Sequence, residues 1–454
     1  MQTYSRRRFL RHSVAVGIGA AAQMNVLGRV AHAAGGGDYK ALVCILLGGG
    51  ADSFNMLVPY DASRYADYVA FRADLALAHA DLLALSYTGA QGQTFAVHPG
   101  WGPVRTLFEQ GDLAFVANVG TLAEPTDKTA YTNGTVRLPL GLFSHADQIS
   151  QWQTSVPDRR IATGVGGRIA DVVTAATPSA SPISMNISVS GTNVFQTGQT
   201  VTDYALDPTD GVRLLAGYGP GGSAAFTQAV DAMLAQSYGD PFRRTYAAKL
   251  RTAIDSGATF KATLDAAPTL ATTFSAAPIS TALAQIAKVI SVRDALSATR
   301  QTFFVSFGGW DHHDNVLTLQ AQMLPALAAG LSEFQQAMVE LGVADAVTTF
   351  TISDFGRTLT SNGKGSDHGW GGHQLVMGGA VAGKAVYGAY PVLIPDNALD
   401  VGRGRYIPTT SVDAFYAELA LWFGVAPSEL DVVLPNVRRF YTPESGAPPV
   451  GFMA

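Results

Sequence analysis

The chain has little of three things: cysteine, charge and long apolar runs. Its 454 residues contain a single cysteine, Cys44, so no disulfide can form within the chain. Charged residues make up 14% of it, whereas an average soluble domain has about 25%. No basic stripe or arginine-rich helix is present, which argues against nucleic acid as a partner. Beyond residue 33 no segment is long and apolar enough to span a bilayer. The fold must therefore be held by its core, for which 47% hydrophobic residues are sufficient.

The first 33 residues have the layout of an export signal. The run SRRRFL at residues 5–10 fits the twin-arginine pattern, a mildly apolar stretch covers 13–30, and Ala31-His32-Ala33 fits a cleavage site. We therefore expect a periplasmic or secreted protein that passes through the twin-arginine export machinery. An N-terminal membrane anchor is the alternative, but Gln23 and Asn25 interrupt the apolar stretch. Without this segment the chain has 25 Lys and Arg against 35 Asp and Glu, a net charge of −10.

Strand-like and helical patterns alternate along the rest of the chain. Continuous apolar runs of strand length cover 41–47, 113–119, 302–307 and 346–352, and shorter strands are expected at 182–189, 374–377 and 385–387. Helical patterns cover 64–77, 101–109, 144–154, 166–175, 318–341 and 412–423. This alternation predicts an α/β fold, a three-layer sandwich with a mostly parallel central sheet, formed by residues 34–454 as one domain.

Residues 190–300 differ in composition from their surroundings. They are rich in Ala, Thr and Ser, have helical patterns at 224–263 and 279–297, and contain few side chains that could bind a metal. We interpret this region as a helical insertion or a cap over the sheet.

Four short segments with Asp or His follow the strand-like runs. They read GGGADSFN (48–55), GGWDHHDN (308–315), SDFGRT (353–358) and DHGWGGH (367–373). Ligands of open α/β sheets bind at the carboxyl ends of the strands, and Asp and neutral His are the usual ligands of Zn²⁺ and Mn²⁺ in open sites. The segments together predict a metal site, with Asp52, Asp311, His313, Asp354, His368 and His373 as candidate ligands.

Each segment taken alone also has a plainer interpretation. Asp52 follows a glycine run and could be an ordinary turn residue. Asp311 and His313 are two residues apart and would face one side of an extended segment, with His312 on the other, but a polar loop with a stacked Trp310 is an equal alternative. Arg357 could bind an oxyanion or pair with a local carboxylate.

These motifs resemble those of a known family. GGGADSFNMLVPYD, FSHADQISQWQ, GGWDHHDN, SDFGRTLTSNGKGSDHGWGGHQLVMGG and SVDAFYAELALWFGV are similar to the bacterial exported family called domain of unknown function 1501. That family is grouped with the alkaline phosphatase and sulfatase superfamily. The resemblance implies an alkaline-phosphatase-like fold with a two-metal site at the strand ends.

The resemblance also implies roles for single residues. Asp52 and Asp354 would bind one metal, Asp311 and His313 the other, and His368 would be the final His ligand. For His373 the resemblance implies either a substitute ligand or a place behind the ligands.

Ser144 is the best positional match to the nucleophile of the superfamily, at the start of a helix that would stabilise an anion. It could equally be a simple helix N-cap, and Ser53 is a weaker candidate. His145 could be a ligand, a substrate contact or a helix-surface residue. The chain departs from the superfamily in having Asp354-Phe355 where an Asp-His pair is common, and Ser144 is not in the Cys/Ser-x-Pro-x-Arg context of formylglycine sulfatases.

The expected function is therefore that of an exported metal-dependent hydrolase of phosphate or sulfate esters. One or two ions, Zn or Mn, would act with Ser144 or water as nucleophile and with His145 and Arg357 as catalytic residues, on a small-molecule or polymer ester. Two alternatives remain open: a metal-stabilised binding or assembly protein without catalysis, and an enzyme that modifies carbohydrate or envelope polymers through the same site.

Overall fold

The computed structural model describes residues 39–176, 181 and 183–454. The predicted export signal lies outside the described residues. Fourteen strands are found in the described part of the chain: β1 (Lys40–Gly48), β2 (Leu57–Pro59), β3 (Leu83–Thr88), β4 (Thr94–Val97), β5 (Leu113–Gly120), β6 (Asn186–Ser188), β7 (Tyr204–Ala205), β8 (Arg300–Gly308), β9 (Val347–Ser353), β10 (Arg357–Ser361), β11 (Ser366–His368), β12 (Gly372–Met377), β13 (Val386–Tyr387) and β14 (Thr410–Ser411).

The same described ranges contain eleven α-helices. They are α1 (Ala62–Arg72), α2 (Gly102–Gln110), α3 (Lys128–Asn133), α4 (His145–Thr154), α5 (Val165–Ala176), α6 (Ala224–Leu234), α7 (Pro241–Asp265), α8 (Pro278–Ser291), α9 (Val316–Glu340), α10 (Val412–Phe423) and α11 (Leu430–Val433).

The centre of the protein is a nine-stranded, mostly parallel sheet. Its strand order is β13-β5-β12-β9-β1-β8-β6-β7, and β14 also pairs with β5. Every pairing in it is parallel except the two made by β12, which runs antiparallel to β5 and β9. The prediction of an α/β protein with a mostly parallel central sheet is confirmed. Two small antiparallel sheets, β2-β4-β3 and β10-β11, were not predicted.

β1 lies in the middle of this sheet and is buried on both faces. Its continuous apolar run pairs with β8 on one side and β9 on the other, in a register that places Gly48 beside Gly308 and Leu47 beside Ser353. Parallel strands in a sheet that is covered on both faces have such unbroken apolar runs. The loops that follow β1, β8 and β9 therefore leave the sheet next to one another.

Helices pack on both faces of the sheet. On one face, Cys44 and Phe350 belong to an apolar cluster with residues of α5 and α10. On the other face, Trp101 and Phe108 lie against Phe115 of β5, with ring centroids 6.2 and 6.0 Å apart. Cys44 is buried in this core, and burial raises the pKa of its thiol well above its usual value.

Most predicted elements are present with ends shifted by a few residues. The largest differences are in α1, which ends at Arg72 five residues early, and in the predicted strand at 182–189, of which only three residues pair. The predicted helix at 224–263 is split into α6 and α7 by a break at residues 235–240, which contain Gly239 and precede Pro241.

α8 packs against α9 and β8, so residues 278–291 are part of the layer that covers the sheet. Whether α6 and α7 form a cap over the site stays a prediction. Within the described ranges, no helix is both long enough and apolar enough to cross a membrane.

Gly49 connects the fold to the loop after β8. Its φ is +117°, and a Cβ built on it would lie 2.6 Å from the backbone nitrogen of Asp311. We expect Gly49→Ala to lower the free energy of unfolding by about 2 kcal/mol or more, because backbone strain of about 1–3 kcal/mol adds to a steric clash.

Gly308→Ala is the matched control, because Gly308 has no positive φ and a Cβ there would meet no atom within 4 Å. Urea denaturation of both variants measures the difference. Equal stability of the two variants would contradict the role assigned to Gly49.

Candidate metal centre

The candidate site is built from the loops after β8 and β9 and from two more distant segments. The loop after β8 supplies Asp311 and His313, and that after β9 supplies Asp354. The first of the more distant segments, β11, supplies His368, and the second, α4, supplies His145 as its first residue. Two contacts tie the loop after β1 to its neighbours: the Gly48 carbonyl accepts from Trp310 N–H at 3.1 Å, and Gly49 N–H donates to Asp354 Oδ1 at 3.0 Å.

Three imidazole nitrogens and one carboxylate oxygen converge at this point. His368 Nε2 lies 3.0 Å from His145 Nε2 and 2.9 Å from His313 Nε2. The Oδ1 atom of Asp311 lies 3.1 Å from His313 Nε2, 3.5 Å from His145 Nε2 and 3.7 Å from His368 Nε2. His145, Asp311 and His368 form a group whose ligand atoms are close enough for one ion to bind all three.

The other nitrogen of each ring has a hydrogen-bond acceptor. His145 Nδ1 lies 2.7 Å from Asp354 Oδ2, His313 Nδ1 lies 3.0 Å from Asp367 Oδ1, and His368 Nδ1 lies 2.8 Å from the carbonyl oxygen of Phe143. Carboxylate and carbonyl oxygens accept only, so in a neutral ring the proton is at Nδ1 and the lone pair is at Nε2.

These tautomers direct the three Nε2 lone pairs at one another. Neutral imidazoles in this arrangement have no proton to share, so the lone pairs repel unless a cation lies between them. An imidazole that donates its second N–H to a carboxylate or a carbonyl is the usual state of a metal-bound histidine. Burial, together with the positive charge of Arg357 and the two other imidazoles, lowers the pKa of His368, which favours its neutral form.

The distances also fit a tetrahedral ion. Zn²⁺ bonds of about 2.0–2.1 Å at tetrahedral angles place ligand atoms about 3.3–3.4 Å apart. The three distances within the group of His145, Asp311 and His368 are 3.0, 3.5 and 3.7 Å, which bracket that value. His313 is the candidate fourth ligand, because its Nε2 lies near both His368 and Asp311. The residues present therefore fit a divalent cation of the zinc type.

Asp311 is kept as a carboxylate by its neighbours. Partial burial acts to raise its pKa, but Arg357, whose Nη2 donates to Oδ1 at 2.9 Å, and the nearby imidazoles outweigh this and lower the pKa. Arg357 itself is fully buried. Of the two roles expected for Arg357, the pairing with a carboxylate is what the structure shows, and its role in binding an oxyanion stays a prediction.

Asp367 holds His313 from behind. It accepts from Asn362 and pairs with Arg403 as well as with His313, and these contacts outweigh burial and lower its pKa. Residues 311–313 lie in a loop and not in an extended strand, yet Asp311 and His313 are about half exposed whereas His312 is buried.

Asp354 lies behind the cluster. Its Oδ1 accepts from Gly49 N–H, and its Oδ2 accepts from His145 Nδ1. Because both oxygens accept hydrogen bonds, Asp354 orients His145 from behind. Its role as a direct metal ligand stays a prediction.

Asp52 is fully buried and is not part of the cluster. Its Oδ2 pairs with Arg72 Nη2 at 2.5 Å and accepts from the Ser366 hydroxyl at 2.6 Å. Arg72 is the last residue of α1. The sequence around Asp52 does not indicate this pairing, because the pairing depends on how α1 packs against the sheet.

His373 lies in the protein interior, separate from the converging atoms. Its ring stacks on Tyr390 at 4.5 Å, and its Nδ1 accepts from the backbone N–H of Asn118 at 3.1 Å. The Nδ1 lone pair is therefore used within the fold, and we leave His373 out of the proposed ligand set.

Ser144 is at the N-cap position of α4, but its hydroxyl does not cap the helix. Asp147 is held at a lowered pKa mainly by Arg160 and also by a hydrogen bond from the Ser144 hydroxyl. Ser144 thus lies beside a ligand candidate, and its hydroxyl contacts a carboxylate on its own helix. The alternative nucleophile Ser53 is buried, with its oxygen accepting from the backbone N–H of His373.

Comparison with known proteins identifies the family. The model of the family described as "Protein of unknown function (DUF1501)" matches residues 185–430, which is more than half of the chain. The chain belongs to this family. The match begins at residue 185, so it does not include His145. It does include Asp311, His313, Asp354 and His368 of the site. A search of curated proteins finds no match.

Two solved structures are similar to this family member at low identity. The crystal structure of Ps i-CgsB is 12% identical, with a TM-score of 0.33, over 89% of this chain and 77% of that chain. The structure of Ps i-CgsB in complex with k-i-k-neocarrahexaose is 10% identical, with a TM-score of 0.29, over 85% and 72%. TM-scores this low carry no argument about function.

The burial of His373 makes the free energy of unfolding of the protein depend on pH. Burial lowers the pKa of His373 to about 3, below the usual value of about 6.5, so the ring stays neutral in the fold while the unfolded chain takes up a proton. This contribution to stability is complete above about pH 6.5 and is lost as the pH falls from there towards 3.

We expect His373→Gln to flatten the fall in unfolding free energy between pH 6.5 and 4, by up to about 1.4 kcal/mol per pH unit. Urea denaturation at several pH values, with a chelator present throughout, measures the slope. A slope equal to that of the unaltered protein would contradict this assignment.

Proposed function

We propose that the protein binds a divalent cation, Zn²⁺ or Mn²⁺, at His145, Asp311, His313 and His368, and that it hydrolyses phosphate or sulfate esters there. The observation that supports the cation is the convergence of three Nε2 lone pairs whose tautomers are set from behind by Asp354, Asp367 and the Phe143 carbonyl. When bound, the cation supplies Lewis-acid stabilisation of charge on the ester oxygens.

The half-exposed side of the cluster is where an ester would bind. Asp311 and His313 are about half exposed, and Phe355 lies against the rings of His145 and His368, with centroids 4.7 and 4.6 Å away. A ligand can therefore reach Asp311 and His313 from the solvent. In the proposed reaction the Ser144 hydroxyl, or a water molecule, attacks the phosphorus or sulfur atom of the ester and loses its proton. The bond to the leaving oxygen breaks, and this oxygen departs as an alcohol after taking up a proton; water then hydrolyses the ester on Ser144 where Ser144 is the nucleophile. Arg357 holds Asp311 by its hydrogen bond.

We further propose that the family has the arrangement of the alkaline phosphatase and sulfatase superfamily, and that this chain is exported by the twin-arginine pathway. The first proposal is supported by candidate ligands at the carboxyl ends of β8 and β9 in a mostly parallel sheet. The second is supported by the sequence of residues 5–33 alone.

A binding or assembly role without catalysis is the second candidate. It is favoured by one observation: the Ser144 hydroxyl hydrogen-bonds to Asp147, and no histidine among the described residues that could remove its proton forms a hydrogen bond with it. In that case the cation would contribute stability only.

Metal content is the first test. We expect close to one equivalent of Zn or Mn per chain purified without chelator, and affinity lowered more than about 100-fold in His368→Ala, since a ligand is removed. Asp354→Asn should weaken binding about 10–100-fold, because it acts through His145.

The matched control for metal content is Asp314→Asn, which removes an exposed carboxylate next to the site that contacts none of the converging atoms. Elemental analysis and titration with a competing chelator measure these values. Full metal content in His368→Ala and His145→Ala would contradict the proposed centre.

Ester turnover is the second test. We expect hydrolysis of an aryl phosphate or an aryl sulfate that is lost with chelator and falls at least about 10³-fold in His145→Ala, because both the cation and the geometry at α4 are disturbed. Asp314→Asn should retain full activity.

Ser144→Ala distinguishes the two nucleophiles. A fall as large as that in His145→Ala, with metal content unchanged, identifies Ser144, and a change of only a few-fold favours water. If chelation lowers the melting temperature but no phosphate, sulfate or carbohydrate ester is turned over, the non-catalytic role replaces the hydrolase.

A further inference from the structure

The helical hairpin of α6 and α7 has an exposed aromatic patch that the proposed function does not use. The patch surrounds a groove of about 460 Å³ lined by Met233, Leu234, Tyr238, Phe242, Arg243 and Tyr246. Phe242 is 86% exposed and Tyr246 68%. Large aromatic side chains this exposed in one group mark a contact surface more often than scattered single residues do.

Basic side chains accompany the aromatic rings. Residues 241–251 contain Arg243, Arg244, Lys249 and Arg251 and no acid, although the whole chain has a net charge of −5. Arg251 pairs with Asp231 and Asp255. Arg243, Arg244 and Lys249 are exposed, and no carboxylate in the described part of the chain is within ion-pair distance of them.

This chemistry favours one occupant. We infer that the aromatic patch binds an anionic lipid surface, with Phe242 and Tyr246 in the headgroup region and Arg243, Arg244 and Lys249 against the lipid charges. Amphipathic helices that lie on membranes combine aromatic residues with Lys and Arg in this way. A second copy of this chain fits less well, because a two-fold contact through the patch would bring the same unpaired cations together.

Vesicle binding, detected by a fluorophore attached within the patch, tests the inference. The chain has only Cys44, which is buried, so Met233→Cys gives one reactive site on the groove and leaves both aromatic rings in place. With an environment-sensitive fluorophore attached there, we expect a blue shift on vesicles containing 30% phosphatidylglycerol and none on pure phosphatidylcholine. The same label on Val339→Cys, an exposed site on α9, is the control and should not shift.

Two variants in the labelled background separate the contributions. Phe242→Ser with Tyr246→Ser should abolish the shift, and Arg243→Gln with Arg244→Gln should weaken vesicle binding about tenfold or more at low salt. Both pairs are exposed, so the fold should be retained. The full-length chain is used throughout, so the arginines of residues 6–8 are the same in every sample, and the label reports only on the patch.

Three results would overturn the inference: no shift on anionic vesicles, an equal shift at Val339→Cys, or a shift that depends on protein concentration without lipid. The last result would identify self-association, and size-exclusion chromatography would show it directly. Metal content and ester turnover are tested with variants of other residues. The proposed hydrolase and the proposed lipid-binding patch can therefore fail independently of each other.

Discussion

The parallel pairing of β1 with β8 and β9 is the constraint on which the rest of the site depends. Because Gly48 is in register with Gly308, and Leu47 with Ser353, three loops leave the sheet at the same level and next to one another. Gly49 then approaches the backbone of Asp311 so closely that no side chain fits. A shift of one residue in either pairing would turn the side chains of β8 or β9 to the opposite face of the sheet. The loop that follows the shifted strand would then leave the sheet at a different level.

The second determinant is what lies behind the ligands. Each imidazole is oriented by an acceptor at Nδ1, and one of these acceptors, the Phe143 carbonyl, belongs to a residue with a φ of 72°. A bulky residue in the left-handed region is strained, and such strain persists where surrounding contacts require it. The Phe143 ring also lies 5.0 Å from the Arg405 guanidinium, and the Arg405 side chain donates to the His368 carbonyl. The ring and the backbone carbonyl of His368 are thus both held by residues outside β11.

The candidate ligands at the strand ends could be predicted from the sequence, but the residues that contact them from distant parts of the chain could not. Apolar runs and the residues that follow them are local signals, so the loops after β8 and β9 were identified with Asp311, His313 and Asp354. His145 had three possible roles, because its distance in sequence from Asp354 hides a contact of 2.7 Å. The predicted role of His373 rested on its proximity in sequence to His368, whereas β12 carries it into the core beside Tyr390. Phe355 follows Asp354 in the chain, and it packs against the ring of His145, which contacts Asp354 from α4.

The place of Asp52 shows why a motif residue can matter without belonging to the cluster of candidate ligands. A buried ion pair contributes little net stability, because desolvation offsets the attraction, so its value lies in what it fixes. Arg72 donates to Asp52 and also to the carbonyls of Thr358 and Leu359 on β10, while Asp52 accepts from Ser366 on β11. Both strands of the hairpin that carries Asp367 and His368 are therefore attached to the loop after β1. Removing one charge would leave the other buried and unpaired, and the hairpin would lose its anchor together with its charge balance. Arg72 and Arg357 are both fully buried, and each pairs with a carboxylate at this edge of the sheet. In a chain with few charged residues, buried charge is therefore found next to the candidate ligands, whose positions it fixes.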